Sequence, residues 1–120
     1  SIINMAAHNL YKLDMLILHI LSRHDCYGYE ITQIINKYSN NTINTRVSSL
    51  YPILYRMIEH GYITDYEKII KQKRKRVYYH LEPEGYDELN KMLMEYHALV
   101  AGIQSVLDYD GILLQKGENS

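Results

Sequence analysis

"SSLYPILYRMIEHGYITDYEKIIKQKRKRVYYHLEPEG", Ser48 to Gly85, changes its apolar period twice and so decides the fold. Its first part sets Leu50, Ile53, Leu54, Met57 and Ile58 at helical spacing, with Tyr51, Tyr55, Arg56 and Glu59 facing away. Ser48 or Ser49 is expected to cap this helix, which puts Pro52 near the first turn, where a missing N–H costs little. Gly61 supplies a left-handed stop. The period then drops to two. "YITDYE" (62–67) and "RVYYHL" (76–81) are aromatic and β-branched, with Val77, Tyr79 and Leu81 on one face. The segment between them is too polar at its centre for a core and reads as a turn. Pro83, followed by Glu84 and Asp87, opens another helix.

Working outward, Leu10, Leu13, Leu16, Ile17, Ile20 and Leu21 share one face of a helix, and Met15 and Leu18 add a second apolar strip. "SRHDCYG" (22–28) ends it. Ile31, Ile34, Ile35 and Tyr38 mark a second helix, and "SNNTINTR" (39–46) is turn chemistry. Three helices and a hairpin predict a mostly α protein with a small β-hairpin, a winged helix-turn-helix. In the last helix Tyr86, Leu89, Leu93, Tyr96, Val100, Ile103 and Leu107 step by three and four, a heptad seam widened by Met92, Leu99 and Val106.

The net charge of −1 conceals a segregation. Residues 1–40 are neutral, residues 41–80 carry +5 and residues 81–120 carry −6. A near-neutral chain therefore still offers a cationic middle third to a polyanion. "KQKRKR" (71–76) carries most of that charge. Alone, such a run reads as a solvated loop or a localisation signal. On a hairpin beside a helix-turn-helix, Lys71, Lys73, Arg74, Lys75 and Arg76 are expected along a phosphate backbone or in the minor groove, where they fix position and read little sequence. Ser48, Ser49 and Tyr51 are expected at base edges, with Arg46 and Arg56 on phosphate or guanine. Tyr51 reads equally well as a packing residue, Arg56 as half of a surface ion pair, and Arg46 as a loop cation.

At 120 residues one domain is the expectation, and the heptad stripe is wider than so small a core can cover. A homodimer is expected through Met15, Leu18, Leu89, Leu93, Tyr96, Val100 and Ile103. The organisation read from the chain is a winged-helix DNA-binding domain with an N-terminal arm over 1–82, a dimerisation helix over 83–107 and a fraying tail over 108–120. Cys26 is the only cysteine, so no internal disulfide forms, and the most apolar run, Leu13 to Leu21, is far short of the roughly 20 residues of a membrane helix. A cytoplasmic protein is expected.

"LDMLILHILSRHDCYGYEI", "SSLYPILYRMIEHGYI" and "RKRVYYHLEPEG" together resemble the PadR family of transcriptional regulators, in its short form with a single C-terminal helix. The resemblance runs from about Leu10 to about Gly85. It implies a winged-helix domain, dimerisation by the C-terminal helix, and repression relieved by a small ligand. A damp pocket for a hydrophobic or aromatic ligand is expected from Tyr11, Met92, Tyr96 and His97. Three positions depart from the family pattern. The wing tip has neither Gly nor Pro, Ser48 stands where Gly often precedes the "LYP", and Glu82 replaces a Thr cap.

Six histidines and Cys26 raise a metal-responsive regulator as an alternative. There is no HxxxH and no CxxC, and His24 with Cys26 is a lone close pair, so no metal and no cofactor are expected. No nucleophile elbow or phosphate-binding glycine loop is present, so no catalytic residue is nominated and no enzyme is expected. The second alternative is a winged helix that binds an acidic protein.

Overall fold

A computed structural model describes residues 13–112. In chain order it contains α1 (Leu13–Arg23), β1 (Cys26–Tyr27), α2 (Gly28–Tyr38), α3 (Val47–Glu59), β2 (Ile63–Ile69), a 3-10 turn (Lys71–Lys73), β3 (Lys75–Leu81) and α4 (Pro83–Leu107). This is the expected mostly helical winged fold, with one addition. The sheet has three strands in the order β1-β3-β2, all antiparallel. The residues 22–28, read as a helix ending, include a short strand that pairs Cys26 with Tyr79 and Tyr27 with Tyr78.

Helix α1 is central. Leu13, Met15, Ile17, Leu18, Ile20 and Leu21 are all buried, so both of its apolar strips are covered within one chain. Ile31 and Ile35 of α2, Leu50, Leu54 and Met57 of α3, and Ile63, Tyr79 and Leu81 of the sheet close the same core. Tyr38, expected inward on α2, is 78% exposed. Leu10, proposed to begin the first helix, lies outside the described residues.

The segment from 39 to 46 turns through left-handed Asn40 and Asn41, residue types that tolerate that region. Asn36 clamps its far end: the amide donates to the Thr45 carbonyl at 3.0 Å and accepts the Thr45 N–H at 2.8 Å. That clamp delivers the chain to α3 earlier than the serines suggest. Arg46 is the N-cap and makes no side-chain cap, leaving Ser48 and Ser49 inside the first turn. Pro52 therefore sits in the second turn. The carbonyl it fails to satisfy belongs to Ser48, an exposed residue. At the other end Gly61 has φ +75°, the Gly61 N–H reaches the Ile58 carbonyl and the Tyr62 N–H reaches that of Met57, a Schellman stop.

Strands β2 and β3 extend beyond the sequence estimate into the basic run, pairing Ile69 with Lys75 and Lys68 with Arg76. The tip closes with the Ile70 N–H on the Arg74 carbonyl at 2.8 Å. Without glycine, the tip turns through Gln72 and Lys73, each at φ 61°. Each left-handed residue of this kind costs roughly 1–2 kcal/mol.

Helix α4 begins at Pro83 beneath the wing, its Glu82 N–H on the Tyr62 carbonyl at 2.9 Å. Leu89 is buried in the shared core and Met92, Leu93 and Tyr96 lean on it. The division at 82/83 is thus one between elements, with the core continuous across it. Met15, Leu18 and Leu89, expected at a dimer interface, are only 6%, 1% and 4% exposed and have no surface left to give a partner. Tyr86, read as part of the inward seam, is 45% exposed.

Gly85 is the tight point of this joint. A Cβ there would collide with the Tyr62 carbonyl and the Leu81 side chain. Gly85→Ala is expected to destabilise the fold by roughly 1–3 kcal/mol, the usual cost of overpacking, seen as a lower denaturation midpoint in urea.

Candidate nucleic-acid interface

Two surfaces flank one cleft. From α3 come Tyr51, 46% exposed, and Tyr55, 69% exposed. From the sheet come Asp65, Val77 and Tyr79, and the cleft between them is about 420 Å³. The helix lays its outer face beside the wing because Leu50, Leu54 and Met57 are pinned in the core behind it.

Arg46, Ser48 and Ser49 stand exposed where α3 begins. Tyr51 is partly a packing residue after all: a Cβ on Gly28 would lie 3.4 Å from its ring, so the glycine opens α2 to it. Its other side faces the cleft. Arg56 lies 3.9 Å from Asp14 of α1, a long ion pair between an exposed and a half-buried side chain that contributes little. Tyr55, one turn beyond Tyr51, is a site residue that the sequence reading does not nominate. Its outward spacing is legible, and only the nearby wing makes it part of a site.

The wing cations divide into held and unpaired groups. The Lys75 ammonium is 3.4 Å from Glu67 across the hairpin. Arg76 lies 3.9 Å over the Tyr27 ring, and Lys68 lies 5.3 Å over that of Tyr78. Both are cation–π contacts that orient the cation while leaving its charge available. Lys71, Lys73 and Arg74 project from the tip with no ion pair among the described residues. Lys68 also escapes the sequence reading, which ends its strand at Glu67.

The wing is moored from below. Tyr27, Tyr78 and Tyr66 face one another in register across all three strands, Tyr27 edge-on to Tyr78 and Tyr66 stacked on it. Asp25, just before β1, accepts hydrogen bonds from the Tyr66 hydroxyl at 2.7 Å and from His80 Nδ1 at 2.8 Å. Burial alone would raise the Asp25 carboxyl; the bonds from His80 and Tyr66, with the neighbouring imidazoles, outweigh it and hold it below the usual carboxylate range. Glu82 does not cap α4. It takes the Thr64 hydroxyl at 3.0 Å and sits 3.7 Å from His80 instead.

Of the residues expected to line a ligand pocket, Tyr11 lies outside the described residues. Met92 and Tyr96 lean on the core and His97 is exposed, its ring edge-on to Tyr96. A groove of about 650 Å³ lies elsewhere, between α1 and α2, where Leu16, Ile20, Ile34 and Ile43 give it an apolar floor. Of the expected interface residues, Leu93 and Tyr96 are half-buried, while Val100 and Ile103 are 42% and 39% exposed. Burial, and then the nearby Glu30 carboxylate, push the Cys26 thiol up to about 12.

Comparison with known proteins gives a coherent result. The family described as transcriptional regulator PadR-like matches residues 17–91. A transcriptional regulator of Clostridium thermocellum superposes with a TM-score of 0.73 at 27% identity, covering 83% of this chain and 96% of its own. A PadR-like transcriptional regulator of Bacillus cereus gives 0.71 at 28%, covering 82% and 93%. Bacillus subtilis PadR, solved in complex with operator DNA, gives 0.63 at 28% over 68% of this chain and 46% of that one.

The mooring has a measurable consequence. Asp25→Ala removes both bonds to the hairpin while leaving the helical core intact. Allowing for partial exposure, the hairpin is expected to lose about 1 kcal/mol, read as roughly fivefold faster amide exchange in β2 and β3 with little change in α1.

Proposed function

The chain belongs to the transcriptional regulator PadR-like family, and on that premise we propose that it binds double-stranded DNA sequence-specifically, as a cytoplasmic homodimeric repressor on an inverted repeat. Members of this family are transcriptional regulators rather than enzymes. The observation that carries the reading is the meeting of the outer face of α3 with a wing whose tip cations make no ion pair among the described residues. The operator complex of the related Bacillus subtilis protein supports the same class of partner.

In this reading Ser48, Ser49 and Tyr51 enter the major groove with Tyr55 beside them, while Arg46 serves the backbone at the start of α3. Lys71, Lys73 and Arg74 grip phosphate at the tip, and Lys75 and Arg76 extend the grip down β3. Asp65 in the cleft opposes phosphate and so disfavours misplaced docking. The second copy meets the distal part of α4, over 83–107, where Leu99, Val100, Ile103, Val106 and Leu107 remain exposed. A two-fold axis there spaces the recognition helices by one DNA turn, roughly 34–36 Å. A hydrophobic or aromatic ligand held near Met92, Tyr96 and His97 would bias the angle between the α4 helices and release the operator.

Selection from random duplexes tests the whole reading: one inverted repeat is expected to emerge, and equal affinity for every duplex would end it. In the triple variant Lys71→Ala, Lys73→Ala, Arg74→Ala, the slope of log affinity against log salt should fall by about 0.9 for each phosphate that is no longer neutralised. Its preferred sequence should not change. Val100→Glu with Ile103→Glu, both on exposed positions, is expected to leave a folded monomer by light scattering. Operator affinity should then drop by roughly a hundredfold or more, because the second half-site no longer binds in the same event.

A further inference from the structure

Between α1 and α2 the structure assembles a donor set that the sequence left incomplete. His24 Nδ1 lies 3.2 Å from Cys26 Sγ. Glu30, at the third position of α2, turns its carboxylate back to the same place, and the three donor atoms all fall within 4.8 Å of one another. We propose that His24, Cys26 and Glu30 form a zinc-binding site at the junction of α1, β1 and α2.

Donors bound at about 2.0–2.3 Å around a tetrahedral zinc stand roughly 3.3–3.8 Å apart. The three donor atoms here lie within 4.8 Å of one another, so they draw together by roughly an ångström on binding a metal. Two of the three donors are positioned by bonds that do not involve a metal. Cys26 is held by the β1–β3 pairing opposite Tyr79, and Glu30 Oε1 accepts the Tyr27 N–H at 3.4 Å. His24 is exposed, and its Nδ1 lies 3.0 Å from the Asp25 carbonyl as well as 3.2 Å from the sulfur. Imidazole, thiol and carboxylate are therefore gathered by the protein's own bonds before any metal binds.

The donor chemistry selects the metal class. One sulfur, one nitrogen and one carboxylate suit zinc, and a single carboxylate is far too few oxygens for calcium or magnesium. The groove of about 650 Å³ supplies the open side: His24 and Glu30 line it, together with His19 and Arg23. A fourth position facing that groove takes water or a donor atom from a molecule bound there. His24 and Cys26 flank Asp25, the carboxylate that moors the wing. Occupancy would fix that mooring from both sides.

The test uses the full chain, stripped by chelator and titrated with zinc chloride in the absence of DNA, so its outcome is independent of operator binding. One zinc per chain and a higher melting temperature are expected, and cobalt chloride should give a thiolate-to-cobalt charge-transfer band. His24→Ala alters an exposed side chain, so the fold should persist while zinc affinity falls at least about tenfold. Glu30→Gln keeps the backbone hydrogen bond through its amide oxygen yet should weaken binding. Cys26→Ser should abolish the charge-transfer band. No saturable zinc uptake, a cobalt complex without the sulfur band, or unchanged affinity in His24→Ala would each overturn the site.

Discussion

Strand β3 is paired on both edges, and the functional geometry depends on that. Its partner β2 makes it a hairpin, and hairpins of two strands are marginal in water by themselves. The two-residue β1 converts the pair into a sheet and ties it to the segment joining α1 and α2. Tyr79 then faces the core while Tyr78 faces the tyrosine row outside. The alternation of one strand thus serves packing and mooring together. β1 thus adds to the hold on the wing that Ile63, Tyr79 and Leu81 give through the core shared with α3.

The charge pattern follows from this anchoring. Like charges crowded on an isolated loop repel one another outward. Here the strands carry Lys68, Lys75 and Arg76 on defined faces, and Tyr78, Glu67 and Tyr27 each hold one of them in place. Oriented cations attract a polyanion with less ordering cost than a flexible run. The acidic residues concentrate after residue 80, half of those on α4, and away from the basic run in sequence. The same separation leaves a chain of net charge −1 with a strongly cationic wing.

Helix α4 has two halves with different duties. Its first turns belong to the core through Gly85 and Leu89, and its later turns expose an apolar row. A heptad seam read from sequence is continuous, but the surface available to cover it is not. The domain supplies cover as far as Tyr96, and beyond that point the row stands exposed.

Much of this was legible in the chain. The inward sets on α1 and α3, the Gly61 stop, the Pro83 start and the basic hairpin all follow from local period, φ preference and hydrogen-bonding capacity, properties a residue carries with it. What the chain could not show depends on elements remote in sequence. The Asn36 clamp on Thr45 moved the start of α3 away from its serines, and pairing with β3 made a strand of Cys26–Tyr27. Packing in the shared core removed Met15 and Leu18 from the free surface, and the turn into α2 brought Glu30 to His24 and Cys26. Local chemistry determined which elements form; which faces remain open, and which side chains meet, were decided only when the elements packed, because burial and proximity are properties of pairs.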